Sequence, residues 1–340
     1  MRLLKWLLVT VAVLVLGLVG VGLFLPDEAR LERSVVVDAP PATVYTALNG
    51  FRRFNEWSPW AGLDPDARYT DEGPPVGVGA KQSWNSEDPA VGSGSQQIVE
   101  VEPFERIRMR LAFAGFDSEN YASYTLARQG EGTRVTWGYE SRFYGNLMAR
   151  YFGLMLDRML GPQYEQGLAK LKPLLESLPK DDLSTLEVTV MQVEPQPIVY
   201  QSGSANAADA AEVLGGIYAR LSAHMAANGL SEAAPPIAIT REYDEETGTW
   251  RFDAAMIVDR ADPPAAEGEG IRAGTTYGGW VARAVHTGPY ADSDATYRQL
   301  MTWRIVAGLQ DNGDRWEQYV SDPGTTPESE LKTHIYWPIK

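Results

Sequence analysis

Between Trp6 and Leu25 lie twenty consecutive residues without a charge, preceded by Arg2 and Lys5 and closed by Pro26-Asp27-Glu28. As a helix this stretch is about 30 Å long, the thickness of a bilayer's hydrocarbon core. A cleaved export signal usually carries a shorter apolar run of about 7–15 residues and a small-x-small cleavage site. Val21-Gly22-Leu23-Phe24-Leu25 offers no such site. The expectation is an uncleaved anchor over residues 1–30, its residues 6–25 in contact with the lipid bilayer. Arg2 and Lys5 favour a cytoplasmic N-terminus, but Arg30 and Arg33 stand close on the other side. The expected localisation is the cytoplasmic membrane, single-pass, with the remaining chain extracytoplasmic; the cytoplasmic face is the alternative.

The rest of the 340 residues is long enough for two domains with full cores. The net charge of −15 argues against nucleic acid, which requires basic patches. Residues 182–340 carry 11 Lys and Arg against 23 Asp and Glu, so the acidity is concentrated there. The chain has no cysteine, and its three histidines, His224, His286 and His334, lie far apart. Neither a metal site nor a Ser-His-Asp triad has support in the sequence, and no cofactor is expected.

Residues 31–178 read as one strand, a short helix after Asp38-Ala39-Pro40-Pro41, a run of hairpin-spaced strands and a long closing helix. Ile107, Met109, Leu111 and Phe113 alternate with Arg106, Arg108 and Arg110, giving one dry and one wet face. Helical periodicity from Asn146 to Leu178 places Met148, Tyr151, Phe152, Met155, Leu156, Met159 and Leu160 on an apolar stripe, with a kink expected at Gly161-Pro162. With its N-x-W-S-P-W segment and a G-V-G-A entry to a Trp-bearing strand, this half resembles the START-like superfamily (SRPBCC; polyketide cyclase/dehydrase and lipid transport). The resemblance implies a sheet curled around the long helix and an apolar cavity. Trp57, Trp60, Trp84, Phe113, Tyr124 and Trp137 are the candidate walls, although for each residue taken singly plain core is the commoner role.

Residues 179–185 are polar, hold Pro179 and read as a linker. Beyond them a strand-helix-strand-strand pattern occurs twice, with Asp259 to Gly274 read as the joining loop. Aligned helix to helix, Gly203 meets Gly288; aligned on the following strand, Arg241 stands where Glu317 stands. The fold class expected for the whole is α+β: a transmembrane helix, a helix-grip domain, then a duplicated unit over 186–340.

The second copy carries His286-Thr287-Gly288-Pro289-Tyr290, then Trp316-Glu317-Gln318-Tyr319, then Ile335-Tyr336-Trp337-Pro338-Ile339. Strand alternation puts Glu317 and Tyr319 on one face. A carboxylate among aromatic rings suits a cationic or polar-tipped guest, since ring faces attract cations by roughly 0.5–2 kcal/mol. A surface Glu paired with a neighbouring Arg is the plainer alternative. The three motifs in this order resemble the GyrI-like (AraC-type effector-binding) family, and that resemblance implies that Glu317 faces a ligand. Tyr319, Trp280, Tyr290, Tyr336 and Phe252 are the further candidate ligand-binding residues, whereas Tyr218 and Trp303 read as core. No helix-turn-helix accompanies the domain, so ligand binding is implied without transcriptional control.

Together these readings describe a membrane-anchored binding protein with two ligand-binding domains for small apolar, cationic or lipid-like molecules. The alternative is a hydrolase of reactive small molecules using Glu317 as general base; no second catalytic group is placed by motif.

Overall fold

The computed structural model describes residues 2–115 and 119–340. The chain forms two compact units: residues 1–180 with 306–308, and residues 181–305 with 309–340.

In the first unit, α1 (Arg2–Phe24) is followed by β1 (Glu28–Val37), α2 (Pro41–Leu48) and the single turn α3 (Phe54–Trp57). Then come β2 (Arg68–Glu72), β3 (Lys81–Asn85), β4 (Gly94–Glu102), β5 (Arg106–Phe113), β6 (Glu119–Gln129) and β7 (Gly132–Arg142). They make one antiparallel sheet in the order β1-β7-β6-β5-β4-β3-β2. Two helices close the unit, α4 (Leu147–Gly153) and α5 (Leu156–Ser177). Pro41 opens α2, where a missing N–H costs nothing, and the Asn146 side chain caps α4 by accepting from the Ala149 N–H.

The helix α5 lies on the sheet through Tyr164, Leu168, Leu171 and Leu175, all buried. Burying each leucine is worth about 1.5–3 kcal/mol. Two glycines let the helix come close. A Cβ on Gly167 would stand 2.7 Å from the Trp137 ring, and one on Gly161 would stand 2.6 Å from the Arg33 guanidinium. Arg33 uses that opening to reach Asp157 and Glu165, 2.7 and 2.8 Å away.

One expectation for this region is corrected. The segment is two helices: a break falls at Leu154-Met155, and α5 stays helical through Gly161-Pro162, where the kink is expected. Four of the seven residues of the expected apolar stripe face outward: Met148, Phe152, Met155 and Met159 are 69, 61, 51 and 55% exposed. A helix restarted at Leu156 presents the register of Tyr164 and Leu168 to the sheet, which turns Met155 and Met159 away.

The second unit begins with β8 (Val188–Val193), β9 (Pro197–Ala205), α6 (Ala210–Asn228), β10 (Glu232–Asp244) and β11 (Thr249–Val258). It continues with β12 (Ile271–Thr275), β13 (Gly279–Thr287), α7 (Ser293–Val306), β14 (Trp316–Tyr319) and β15 (Lys332–Pro338). The sheet order β12-β9-β11-β10-β14-β15-β13-β8 joins the two copies edge to edge, with Ala238 of β10 opposite Glu317 of β14. The stretch read as a joining loop contains all but the last residue of β12, which pairs with β9. The first copy's opening strand, expected in two pieces over 186–193 and 198–202, is shared between the copies. Pro195 and Pro197 interrupt it, so β8 completes the second copy by pairing with β13, while β9 stays with the first.

Side-chain alternation gives this sheet two faces. Val199, Phe252, Ala254, Met256 and Val258 pack under Ile217, Leu221 and Met225 of α6. On the other face Ile198, Ile237, Ile239, Ala255, Ile257, Val281, Trp316 and Tyr336 form a separate core.

Candidate ligand-binding sites

The first unit holds a partly open cavity of about 300 Å³, the lower end of the range for small-molecule sites. Trp60, Trp84, Phe113, Tyr124 and Trp137 line it, together with Leu111, Leu160 and Tyr164. Trp137 stacks on Tyr164 with centroids 3.9 Å apart, and Trp84 meets Phe113 edge to face at 6.0 Å. Trp57, the sixth expected wall, stands behind these rings. It is 2% exposed and packed edge-on against Trp137 and Tyr124, because the α3 turn points it into the core.

The cavity's polar groups are few and mostly paired. Trp60 Nε1 donates to Gln163 Oε1, Gln96 donates to Gln82, and Gln82 donates to Asp71. Burial pushes the Tyr124 and Tyr164 phenols above the ordinary range, so both stay protonated. The Trp137 indole N–H is buried without a protein partner. That nitrogen exposes almost no surface to the cavity, so the wall Trp137 offers a guest is its apolar ring.

In the second unit Glu317 lies on the helix-covered face, and it is half-buried. Both carboxylate oxygens are engaged: Tyr297 of α7 donates to Oε1 and Tyr319 of β14 donates to Oε2, each at 2.8 Å. Tyr319 is in turn flanked edge-on by Tyr290 at 5.4 Å and Tyr218 at 6.4 Å. Tyr218 is anchored by donating to the Ile237 carbonyl. Burial first, and then the Glu317 charge, raise all four phenols above the ordinary range. A carboxylate has about four lone-pair sites, so two tyrosine donors leave acceptor capacity for a guest.

The H-x-G-P-Y motif builds the turn that delivers Tyr290. His286 Nε2 lies 2.9 Å from the Pro289 carbonyl, which can only accept, so that nitrogen carries a hydrogen. His286 Nδ1 lies 3.1 Å from the Thr296 hydroxyl, tying the turn to α7. Gly288 has φ +127°, a conformation L side chains avoid.

The structure divides the expected residues of this unit. It brings Glu317, Tyr319 and Tyr290 together. Tyr336 lies on the opposite face of the sheet, stacked on Trp316 at 4.8 Å, because it pairs with Trp316 and not with Glu317. Phe252 is core, fully buried beneath Ile217 and Trp250. Trp280 shares the face of Glu317 but lies four residues along β13 from Ala284, the residue level with Ile335 and Glu317. That is about 13 Å down the strand, too far for its ring to meet Tyr319. Arg241, aligned with Glu317 in the repeat, is taken up by Asp253 and Asp314.

Two contributors were not assigned to the site from sequence. Tyr297 precedes the buried Leu300 by three positions and follows Thr296, which contacts His286, so helical spacing marks it as inward-facing. Tyr218 follows the buried Ile217 and precedes Leu221 by three; the core reading caught its burial but not its ring contact with Tyr319.

Family models match both halves. Residues 28–176 match polyketide cyclase / dehydrase and lipid transport, and residues 186–340 match the GyrI-like small molecule binding domain. The chain carries these two domains in that order. Both families bind small molecules. Among solved structures, the EcmrR C-terminal domain is similar at 16% identity and TM-score 0.41, covering 46% of this chain and 98% of that one. A hydrolase from Listeria innocua is similar at 14% identity and TM-score 0.36, covering 45% and 92%. The Aha1 dimer from Colwellia psychrerythraea gives 17% and 0.30, covering 44% and 96%. No curated protein matches the chain.

Among the described residues, α1 is long and apolar enough to cross a membrane, over Leu4–Phe24 with a mean hydropathy of 2.8. No group of three or more metal-ligating side chains occurs among the described residues.

Proposed function

We infer that this is a membrane-anchored binding protein whose two domains each receive a small, largely apolar molecule, with Glu317 selecting a cationic guest in the second. The observation that carries this reading is the Glu317 carboxylate, held by two tyrosine hydroxyls and bordered by two further rings. A fixed negative charge beside aromatic faces favours a delocalised or quaternary cation over a neutral molecule of the same shape. The apolar cavity of the first domain, walled by aromatic rings with few polar groups, suits a lipid-like guest. The span Leu4–Phe24 serves as the anchor in this reading, since its side chains are almost wholly exposed by the protein itself.

The test is selectivity. A lipophilic cationic dye and a neutral analogue of matched shape, titrated separately against the detergent-solubilised chain, should differ in affinity by about tenfold or more in favour of the cation. Equal affinities would overturn the cation assignment. A hydrolase using Glu317 as base needs a second group acting on the substrate, and the tyrosines nearest to it already donate to Glu317 itself. Binding is therefore the better-supported reading.

A further inference from the structure

The outward-facing apolar residues of α4 and early α5 have no use in either site. Met148, Phe152, Leu154, Met155 and Met159 are all more than half exposed. They are continuous with a surface whose surroundings are indicated by its composition. The last turns of α1 pack directly on α4: a Cβ on Gly22 would stand 3.1 Å from the Tyr151 ring and 3.3 Å from Leu147. Tyr151 donates to the Leu18 carbonyl. Arg150 donates from one nitrogen to the carbonyls of Gly22, Leu23 and Leu25, and its guanidinium also holds Asp27 at 3.0 Å.

A helix end leaves its last carbonyls without partners, a condition that hydrocarbon does not tolerate. Arg150 meets that need where the span emerges, so α4 is built onto the exit of α1. The contact level fixes a depth. Leu18 to Phe24 covers about 9 Å of a span roughly 30 Å long, so α4 lies beside the outermost third of the span. Interfacial helices bury an apolar face about 5–10 Å into the boundary between headgroups and acyl chains.

We propose that α4 and the first turn of α5 form a second membrane contact, lying in the interfacial layer of the same bilayer that α1 enters, with Phe152, Met155 and Met159 in the lipid. The occupant of this face is lipid. The face continues the outer surface of an apolar span, and the one cation nearest to the exit is already spent on the span's carbonyls and Asp27. The proposal rests on the anchor reading of α1. It has a consequence for the first domain, because Leu160, next to Met159, lines the cavity.

The natural absence of cysteine makes the test direct. Single variants Phe152→Cys, Met155→Cys and Met159→Cys carry an environment-sensitive fluorophore in the full chain, reconstituted in phosphatidylcholine vesicles with 20% phosphatidylglycerol (about one lipid in five, enough to supply anionic surface). Leu14→Cys reports on α1. Gln129→Cys, at the hairpin end of β6 and β7, is the aqueous control, since it lies ten residues along β6 from Glu119, the partner of Arg142. That distance is about 33 Å.

With quenchers placed high on the lipid acyl chains, labels at 152, 155 and 159 should be quenched about threefold or more beyond the label at 129, and Leu14→Cys should respond to deep quenchers. If Leu14→Cys is buried in lipid while the three labels are quenched by aqueous iodide, the second contact is overturned and the anchor stands. If the three labels are shielded from both quenchers, a protein covers this face and the proposal fails. If Leu14→Cys does not reach lipid, the anchor reading fails and the proposal falls with it.

Discussion

The Tyr319 hydroxyl donates to Glu317 Oε2 from two positions along the same strand, at 2.8 Å. Tyr297 reaches the other oxygen from α7, so the carboxylate is fixed by one local and one long-range partner. A hydrogen bond to a charged group is worth about 1.5–3 kcal/mol. Tyr297→Phe should therefore destabilise the second unit by an amount of that order and lower its calorimetric melting temperature. An unchanged transition would mean the hydroxyl contributes nothing to holding Glu317.

Gly288 presents Tyr290 through a backbone conformation that only glycine adopts without strain. Its Cβ position is open, with the nearest atom 4.0 Å away, so the cost of Gly288→Ala is conformational and not steric. That substitution should cost about 1–2 kcal/mol in thermal unfolding. It should also weaken guest binding, because Tyr290 moves with the turn.

Filling the first cavity should silence it without unfolding the domain. Ala122 lies on its wall, and Ala122→Leu adds bulk where there is empty space. Guest affinity should fall by about tenfold or more. Native mass spectrometry of membrane-extracted protein reads this as loss of any co-purifying molecule. A guest retained at wild-type occupancy would place binding elsewhere.

Five phenols, those of Tyr124, Tyr164, Tyr218, Tyr297 and Tyr319, have raised pKa values, with burial the largest cause in each. A raised folded-state pKa means the folded form holds its proton after the unfolded form has released it. The stability this confers is complete below about pH 10 and is lost as pH rises further, towards the folded-state values. An ultraviolet titration should show these phenols ionising late and together with unfolding. Normal titration near pH 10 in the folded protein would contradict their burial.

Much of the fold was legible because its signals are periodic. The Ile107–Phe113 alternation belongs to a single strand, and the helix-strand pattern and the repeat are successions of such elements. What sequence could not place depends on pairing. Tyr336 carried the same aromatic signal as Tyr319, but the β14–β15 register puts it behind the sheet, opposite Trp316. Trp280 shares the correct face at the wrong distance along its strand. Tyr297 was missed because its partner lies twenty residues away on another element. In the first unit, the break at Leu154-Met155 involves no glycine or proline, and Gly161-Pro162, which does, lies inside α5.

The most direct test of the central claim is isothermal calorimetry of a lipophilic cation binding to the wild-type chain and to Glu317→Gln. The substitution keeps the shape and removes the charge, so affinity should drop by about 1–3 kcal/mol, roughly five- to 150-fold. Equal affinity for the two proteins, with the variant folded, would contradict the assignment of Glu317 as the site's anchor.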